Sequence, residues 1–259
     1  MRRFLRIAVV AGLLLSAGPL AHAQFVDAST GLMQMPTAEM NPSGTFMITN
    51  NFLNSHITPD KWDYHTFGYG VSIAFFSRIE ITYSMVIIDG KRSAVQTPRS
   101  QIMFNQDRHF AGKILLLKEG ELWKWTPSIA VGISDPVSAT PQGYQSAAER
   151  GSGYFHRLFA VATKHFDTSV GGVSVHVGYQ YNPPAAKLYH YNGPCAAVDW
   201  TPVWLNSRAF SLKAIAEYDA RTFNLGFIAS VWDGRFDFMF DLSSLRWISF
   251  GGRFKMRLR

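Results

Sequence analysis

The C-terminal stretch, residues 223–259, alternates between apolar and polar positions with the period of two that is typical of β-strands. Asp233-Gly234 interrupts the alternation, and both residue types tolerate the positive φ of a type I′ hairpin turn. With this turn, Phe227 lies opposite Phe240, and one face is apolar across both strands while the other is mixed and polar. A membrane-spanning β-barrel, with lipid outside and a polar lumen inside, requires this pattern.

The same alternation recurs along most of the chain and predicts about 12 strands. A turn at 76–78 places Phe75 opposite Ile79, which keeps the apolar faces of two strands together. Predicted turns alternate between short and long over the first eight strands, as in barrels with short periplasmic turns and longer outer loops. We therefore predict an all-β, transmembrane, antiparallel up-and-down barrel over residues 44–259, with both termini on the periplasmic side.

A soluble β-sandwich or a lipocalin-like barrel is the alternative, because its apolar face points inward instead. The charged positions of the strands would then lie on the solvent face, so charge alone does not separate the two folds. Aromatic residues make up 14% of the chain. This content and the asymmetry of the loops favour the membrane barrel.

Residues 1–23 have the pattern of a secretory signal peptide, since basic residues precede an apolar run and Ala21-His22-Ala23 fits a cleavage site. The apolar run is about 12 residues long, shorter than the roughly 20 that a spanning helix needs. Residues 24–43 lack a clean period and are predicted to be a periplasmic lead-in or a segment folded into the barrel mouth. Export without a later apolar helix, together with the strands, indicates the outer membrane of a Gram-negative bacterium.

The chain carries 25 basic and 18 acidic residues, and three of the basic ones lie in the signal peptide. The mature net charge of +4, from 22 minus 18, is too small to indicate a nucleic-acid partner. Cys195 is the only cysteine, which excludes an intrachain disulfide. We expect outer-membrane lipid as a partner and no cofactor.

Several short stretches resemble the YjbH-like family of outer-membrane proteins linked to exopolysaccharide production. The resemblance implies a β-barrel that acts with polysaccharide synthesis or export, so that polysaccharide and export machinery are implied partners. It carries over no catalytic motif. The stretches follow the family's order along the chain: Gly31–Ala38, Asp107–Ala111, Leu117–Gly120, Ala162–Phe166 and Ala216–Asp219 before Phe223–Gly226.

Charged residues on the predicted inner face are the candidate site. Side chains two residues apart on a strand lie roughly 7 Å apart, so a basic row on the last strand would suit charge-assisted hydrogen bonds to an acidic glycan. Acidic residues on the adjacent strand suggest internal neutralisation instead, and we favour that interpretation. The row is Arg253, Lys255 and Arg257, its acidic neighbours are Asp237 and Asp241, and further lumen candidates are Glu80, Lys113, Lys213 and Glu217.

Catalysis and metal binding find little support. The chain has no Gly-x-Ser-x-Gly motif and no spacing typical of metal ligands, so we predict no catalytic or metal residues. The potential bases His156, His165 and His176 are more simply hydrogen-bonded in the lumen or at its edge, and Asp107–His109 is predicted to be solvated loop. Aromatic loop residues suit either sugar stacking or an upper aromatic girdle: Trp62, Tyr64, Tyr144, Tyr189 and Tyr191.

The leading hypothesis is therefore a non-enzymatic outer-membrane barrel that assists exopolysaccharide or capsule production or export. A stand-alone diffusion channel for small oligosaccharides, acidic ones included, is the alternative. A barrel hydrolase is a third hypothesis, and it would require activity that depends on a single His or Ser.

Overall fold

A computed structural model describes residues 26–58, 64–88, 105–136, 155–182 and 191–258. Among these residues, twelve antiparallel strands pair in sequence order, and β1 pairs with β12 to close a barrel, which confirms the predicted all-β, antiparallel up-and-down barrel. The strands are β1 Thr45–Leu53, β2 Thr66–Phe75, β3 Ile79–Ile88, β4 Asn105–Leu117, β5 Ser128–Ser134, β6 Arg157–Thr168, β7 Gly171–Tyr181, β8 Gly193–Pro202, β9 Phe210–Tyr218, β10 Phe223–Val231, β11 Phe236–Ser243 and β12 Trp247–Arg257.

The predicted hairpin registers are confirmed. Phe75 lies opposite Ile79, and Phe227 lies opposite Phe240. In the β10–β11 turn, Asp233 has a φ of 55° and Gly234 a φ of 70°, the left-handed conformation that the turn needs at both positions. The local period and the turn chemistry thus determine which residues share a face.

The start of β4 differs from the prediction. The alternation along the sequence predicts a loop to residue 107 and a strand that starts at His109, but β4 begins at Asn105, because residues 105–108 pair with the end of β3. β8 ends at Pro202, as this proline itself suggests, and a short 3-10 helix follows at Val203–Leu205. Proline has no backbone N–H to donate, so it suits the end of a strand.

The outer face of the barrel is apolar, which excludes the apolar-inward arrangement of a lipocalin. Large apolar side chains remain exposed along it, such as Phe110, Val177 and Leu225. Rings also contact one another across strands: Phe227 stacks on Phe240 with centroids 5.3 Å apart. No helix among the described residues is long and apolar enough to cross a membrane.

The two rims of the barrel differ. At the rim we call the turn end, strands are joined by connections such as 76–78, 169–170 and 232–235, and the backbone before β1 meets the chain after β12. The opposite rim, the loop end, carries the connections from β1 to β2 and from β7 to β8. The predicted signal peptide and three of the aromatic loop residues fall outside the described residues: Trp62, Tyr144 and Tyr189.

Candidate functional site in the barrel lumen

Residues 26–41, called the lumen segment here, lie inside the barrel. Every residue from 26 to 39 is buried. Its centre is a tight hairpin, in which Gly31 bridges Pro36 and the N–H of Leu32 donates to the carbonyl of Met35 at 2.9 Å. The segment predicted as a lead-in or mouth segment thus occupies the barrel interior. Its apolar side chains join a buried cluster with wall residues: Leu32, Met33 and Met35 with Ile228 and Met239.

The wall formed by β3 and β4 holds both arms of this segment. Glu80 accepts hydrogen bonds from the backbone N–H of Thr30 at 2.7 Å and from its hydroxyl at 2.5 Å. The Lys113 ammonium donates to the carbonyls of Thr30 at 2.7 Å, Glu39 at 2.8 Å and Thr37 at 3.2 Å. Two predicted lumen charges therefore bind backbone groups of the chain's own N-terminal segment.

On the opposite wall, Glu217 of β9 binds the tip of the hairpin. Its carboxylate accepts hydrogen bonds from the backbone N–H groups of Gln34 at 2.8 Å, Met33 at 3.2 Å and Met35 at 3.4 Å. Asp241 of β11 accepts a hydrogen bond from the side-chain amide of Gln34 at 3.3 Å. A carboxylate that receives several N–H groups neutralises the partial positive charge of a tight turn.

Arg157 of β6 connects two parts of the lumen segment. Its guanidinium forms an ion pair with Asp27 and donates to the carbonyl of Gln34 at 3.3 Å and to the side chain of Gln180 at 2.7 Å. The same group lies 5.5 Å from the centre of the Tyr191 ring. Sequence periodicity did not single out Arg157, because β6 had no uniformly apolar face.

A hydrogen-bonded chain on β6, β7 and β8 holds Ala38. The backbone N–H of Ala38 donates to the Thr163 hydroxyl at 3.0 Å, and this hydroxyl lies 2.9 Å from His176 Nδ1. The other ring nitrogen of His176 lies 2.9 Å from Asp199. Lys213 extends this series of hydrogen-bonded side chains, since its Nζ lies 3.2 Å from Asp199 and 3.6 Å from Glu39.

This order of hydroxyl, imidazole and carboxylate is also the order of a hydrolase triad. Here Thr163 and His176 are completely buried, and the hydroxyl contacts the lumen segment at Ala38. The arrangement therefore fixes the segment to the wall. Among the described residues, no group of His, Cys, Asp and Glu side chains is arranged to hold a metal ion.

The residues of the predicted basic row lie in different environments. Arg253 is buried and forms an ion pair with Asp237, and Lys255 Nζ lies 2.9 Å from the same carboxylate. Arg257 is exposed at the end of β12. Asp241 faces Gln34, as described above, and Ser243, whose hydroxyl donates to it at 2.5 Å. The neutralisation that the sequence suggested for this row thus involves Asp237.

His165 lies near the turn end, between two carboxylates. Its Nε2 is 3.3 Å from Glu39 of the lumen segment, and its Nδ1 is 2.5 Å from Glu119 in the β4–β5 turn. Burial raises the pKa of Glu119, but the hydrogen bonds from Lys164 and His165 outweigh it and leave this pKa below its ordinary value. The third candidate base, His156, lies 2.9 Å from the carbonyl oxygen of Asp135.

Asp107 and His109 were wrongly predicted to be solvated. Both are buried on the inner face of β4, where His109 lies 3.8 Å from Asp27 and 3.9 Å from Asp107. The error follows from the late start predicted for β4, since a strand through residue 107 would have placed both side chains inward.

A family model described as "Exopolysaccharide biosynthesis protein YbjH", of the YjbH family, matches residues 27–184. No curated protein matches the sequence. Among solved structures, the chain is similar to one titled "KdgM porin in complex with disordered oligogalacturonate", with a TM-score of 0.47 and 9% identity over 83% of this chain and 99% of that one. At this level of similarity the porin bears on neither substrate nor role.

Proposed function

The chain belongs to the YjbH family, and from that premise we propose that it is an outer-membrane barrel that assists exopolysaccharide production or export without catalysing a reaction. In this proposal its own lumen segment closes the barrel, and the loop end faces outward. Polysaccharide and the export machinery are its partners.

The outer wall supports a membrane location. A closed barrel leaves no strand edge unpaired, and only closed barrels and helices satisfy their backbone groups in a lipid environment. Large apolar side chains such as Phe110, Val177 and Leu225 are exposed on the outer wall, while charged residues such as Glu80, Lys113 and Glu217 are buried inside. A soluble protein would expose the opposite set.

The fixed lumen segment carries the proposal that the barrel is not an open channel. Lys113 makes three hydrogen bonds to backbone carbonyls of the segment, and Glu217 receives three backbone N–H groups from it. Withdrawal of the segment would break these six hydrogen bonds and leave Lys113 only Glu80, at 4.0 Å, and Glu217 only Asn224, at 3.2 Å, as protein partners among the described residues. The wall charges thus favour a filled lumen over a path for acidic oligosaccharides.

The absence of catalysis is part of the proposal, and it rests on the inaccessibility of the Thr163 hydroxyl to a substrate. The hydroxyl that would act as the nucleophile, Thr163 Oγ1, lies beneath the lumen segment, 3.0 Å from the N–H of Ala38. Attack on a substrate requires an accessible nucleophile within reach of the reacting atom. If Thr163→Val or His176→Phe abolished a hydrolytic activity of the purified protein, the non-enzymatic role would be wrong.

Two measurements test the proposal. The first compares secreted polymer between a deletion strain and the same strain carrying the wild-type gene, where we expect polymer to be lost and then restored. Unchanged polymer would contradict the assisting role. In the same cells, fractionation with heat-modifiable gel mobility should recover the protein in the outer membrane, and a folded soluble periplasmic form would contradict the membrane barrel.

The second measurement is the conductance of the purified protein in a planar bilayer, where we expect no steady open level. A double variant, Glu80→Gln with Glu217→Gln, weakens both anchors of the lumen segment and should produce intermittent openings. A steady conductance of the wild type, with an ion selectivity that changes in Arg253→Glu with Lys255→Glu, would instead support the diffusion channel.

A further inference from the structure

A groove with a volume of about 740 Å³ runs along the outer face of the barrel between β3 and β7. Its floor contains Gly112 and Ala160, and its flanks include Ile81, Tyr179 and Tyr181. A methyl group placed on Gly112 would meet no atom within 4 Å, so the missing side chain leaves a space that opens outward. The groove is therefore a depression in the wall, where neighbouring strands present larger side chains.

The strand register makes this groove continuous. One row of outward-facing positions crosses the five strands from β3 to β7. A second row lies two residues closer to the turn end on each strand. The depression spans both rows, because one contains Gly112 and the other Ala160. The first row is Ile81, Gly112, Ile133, Leu158 and Tyr181, and the second is Ile79, Ile114, Val131, Ala160 and Tyr179.

A polar cluster lies above the groove, toward the loop end. Arg108 is exposed on the outer face of β4, and its Nε donates to Gln106 at 3.3 Å. The Gln106 amide in turn donates to the Tyr69 hydroxyl at 2.6 Å. Within the described part of the chain, no carboxylate forms an ion pair with Arg108. This cation therefore interrupts an otherwise apolar surface without an acidic partner there.

The separation of the two features suits a lipid. Arg108 precedes Gly112 by four residues on the same strand, and at roughly 3.3 Å per residue the two lie about 13 Å apart. A guanidinium group binds phosphate through paired hydrogen bonds, while an apolar groove with a small-residue floor accommodates an acyl chain. An ordinary patch of barrel wall offers the apolar surface but not the cation at headgroup height.

We propose that this surface binds one molecule of lipid A, with a phosphate on Arg108 and an acyl chain in the groove over Gly112. This proposal rests on the orientation in the proposed function, in which the loop end lies in the outer leaflet. Phosphate-bearing lipid is then present on the side where the cation lies. Gln106 and Tyr69 hold the guanidinium in place at the level of the headgroup.

Native mass spectrometry of the folded protein in a neutral detergent, titrated with lipid A, tests the site. We expect one tightly held lipid A on the wild type, and at least 5-fold lower occupancy in Arg108→Glu and in Gly112→Phe. Matched controls on other walls of the barrel, Arg246→Glu and Ala216→Phe, should keep wild-type occupancy. Gly112→Leu and Arg108→Gln serve as milder variants, and heat-modifiable mobility establishes that each variant is folded.

Titrations with two further lipids test the phosphate contact. Dephosphorylated lipid A should bind the wild type at least 5-fold more weakly, and phosphatidylglycerol should not displace bound lipid A. Equal binding of the dephosphorylated form, displacement by phosphatidylglycerol, or equal losses in the control variants would overturn the proposal. Because this binding is measured without polymer or bilayer recording, its failure is distinguishable from failure of the exopolysaccharide role.

Discussion

The outer and inner faces of the barrel consist of alternate residues of the same strands, yet their partners differ in kind. On β10, Phe227 points outward and contacts Phe240 of the neighbouring strand. Next to it on the inner side, Ile228 is buried in a cluster with Leu32, which lies far away in sequence. The outer face thus needs only an apolar surrounding, whereas the inner face needs one particular segment.

This difference determines how each face tolerates change. An apolar surrounding adapts to a substituted side chain, and its penalty for charge depends on depth in the membrane. The lumen instead contains charges whose hydrogen-bond partners are fixed backbone groups, such as those that Lys113 and Glu217 bind. Loss of one charge there leaves several buried polar atoms unsatisfied.

The largest effect is expected in the lumen. Lys113→Met keeps the shape of the side chain but removes the cation that binds three carbonyls and lies 4.0 Å from Glu80. Breaking such a buried arrangement costs about 3–5 kcal/mol. The free energy of unfolding from urea titrations in detergent measures it. The control is Lys118→Met in the exposed β4–β5 turn. Equal losses in the free energy of unfolding for the two variants would contradict the proposed difference between lumen and surface.

A charge on the outer face should have an intermediate effect. Ala214 points outward at the centre of β9, so Ala214→Arg removes no large contact. An arginine near the middle of a bilayer costs about 2–4 kcal/mol, and one near the interface about 0–1. Val170→Arg, in the exposed β6–β7 turn, is the matched variant for the interface. The free energy of folding into lipid vesicles measures both variants. If Ala214→Arg and Val170→Arg reduced it by the same amount, the outer wall would not lie in lipid as proposed.

The smallest effect concerns pH at the turn end, where Glu119 contacts Lys164 and His165. The pKa of Glu119 lies below its ordinary 4.5 in the folded chain, so its contribution to stability is present above about that pH and lost as the pH falls. The unfolding midpoint of the wild type should therefore decline more below pH 4.5 than that of Glu119→Gln. Parallel declines would contradict the assigned contacts.

The outer face was largely predictable from the sequence. Alternation along a strand depends on immediate neighbours, so the faces of β2, β3, β10 and β11 and their hairpin registers followed from the chain itself. The family, too, was predicted from short motifs, and the family match over residues 27–184 confirms it.

The inner partners were not predictable in this way. The lumen segment has no period, and its binding to Glu80 or Glu217 spans 50 to 184 residues of sequence. Part of the lumen charge was identified, but Arg157, Asp107 and His109 were missed. Of the assigned partners on a neighbouring strand, Asp237 does pair with the basic row, whereas Glu80 and Glu217 bind the lumen segment. A carboxylate that binds backbone N–H groups cannot be recognised from the side chains of its partners, because every residue except proline supplies the same N–H.

Hydrogen exchange at the hairpin tip tests the central claim, that the lumen segment is held inside the barrel by the wall charges. The backbone N–H groups of Met33, Gln34 and Met35 donate to Glu217. In the folded protein we predict that they exchange as slowly as the paired amides of β9 and β10, and faster in Glu217→Gln while those strands stay protected. Exchange at the rate of an unstructured peptide in the wild type would contradict the account.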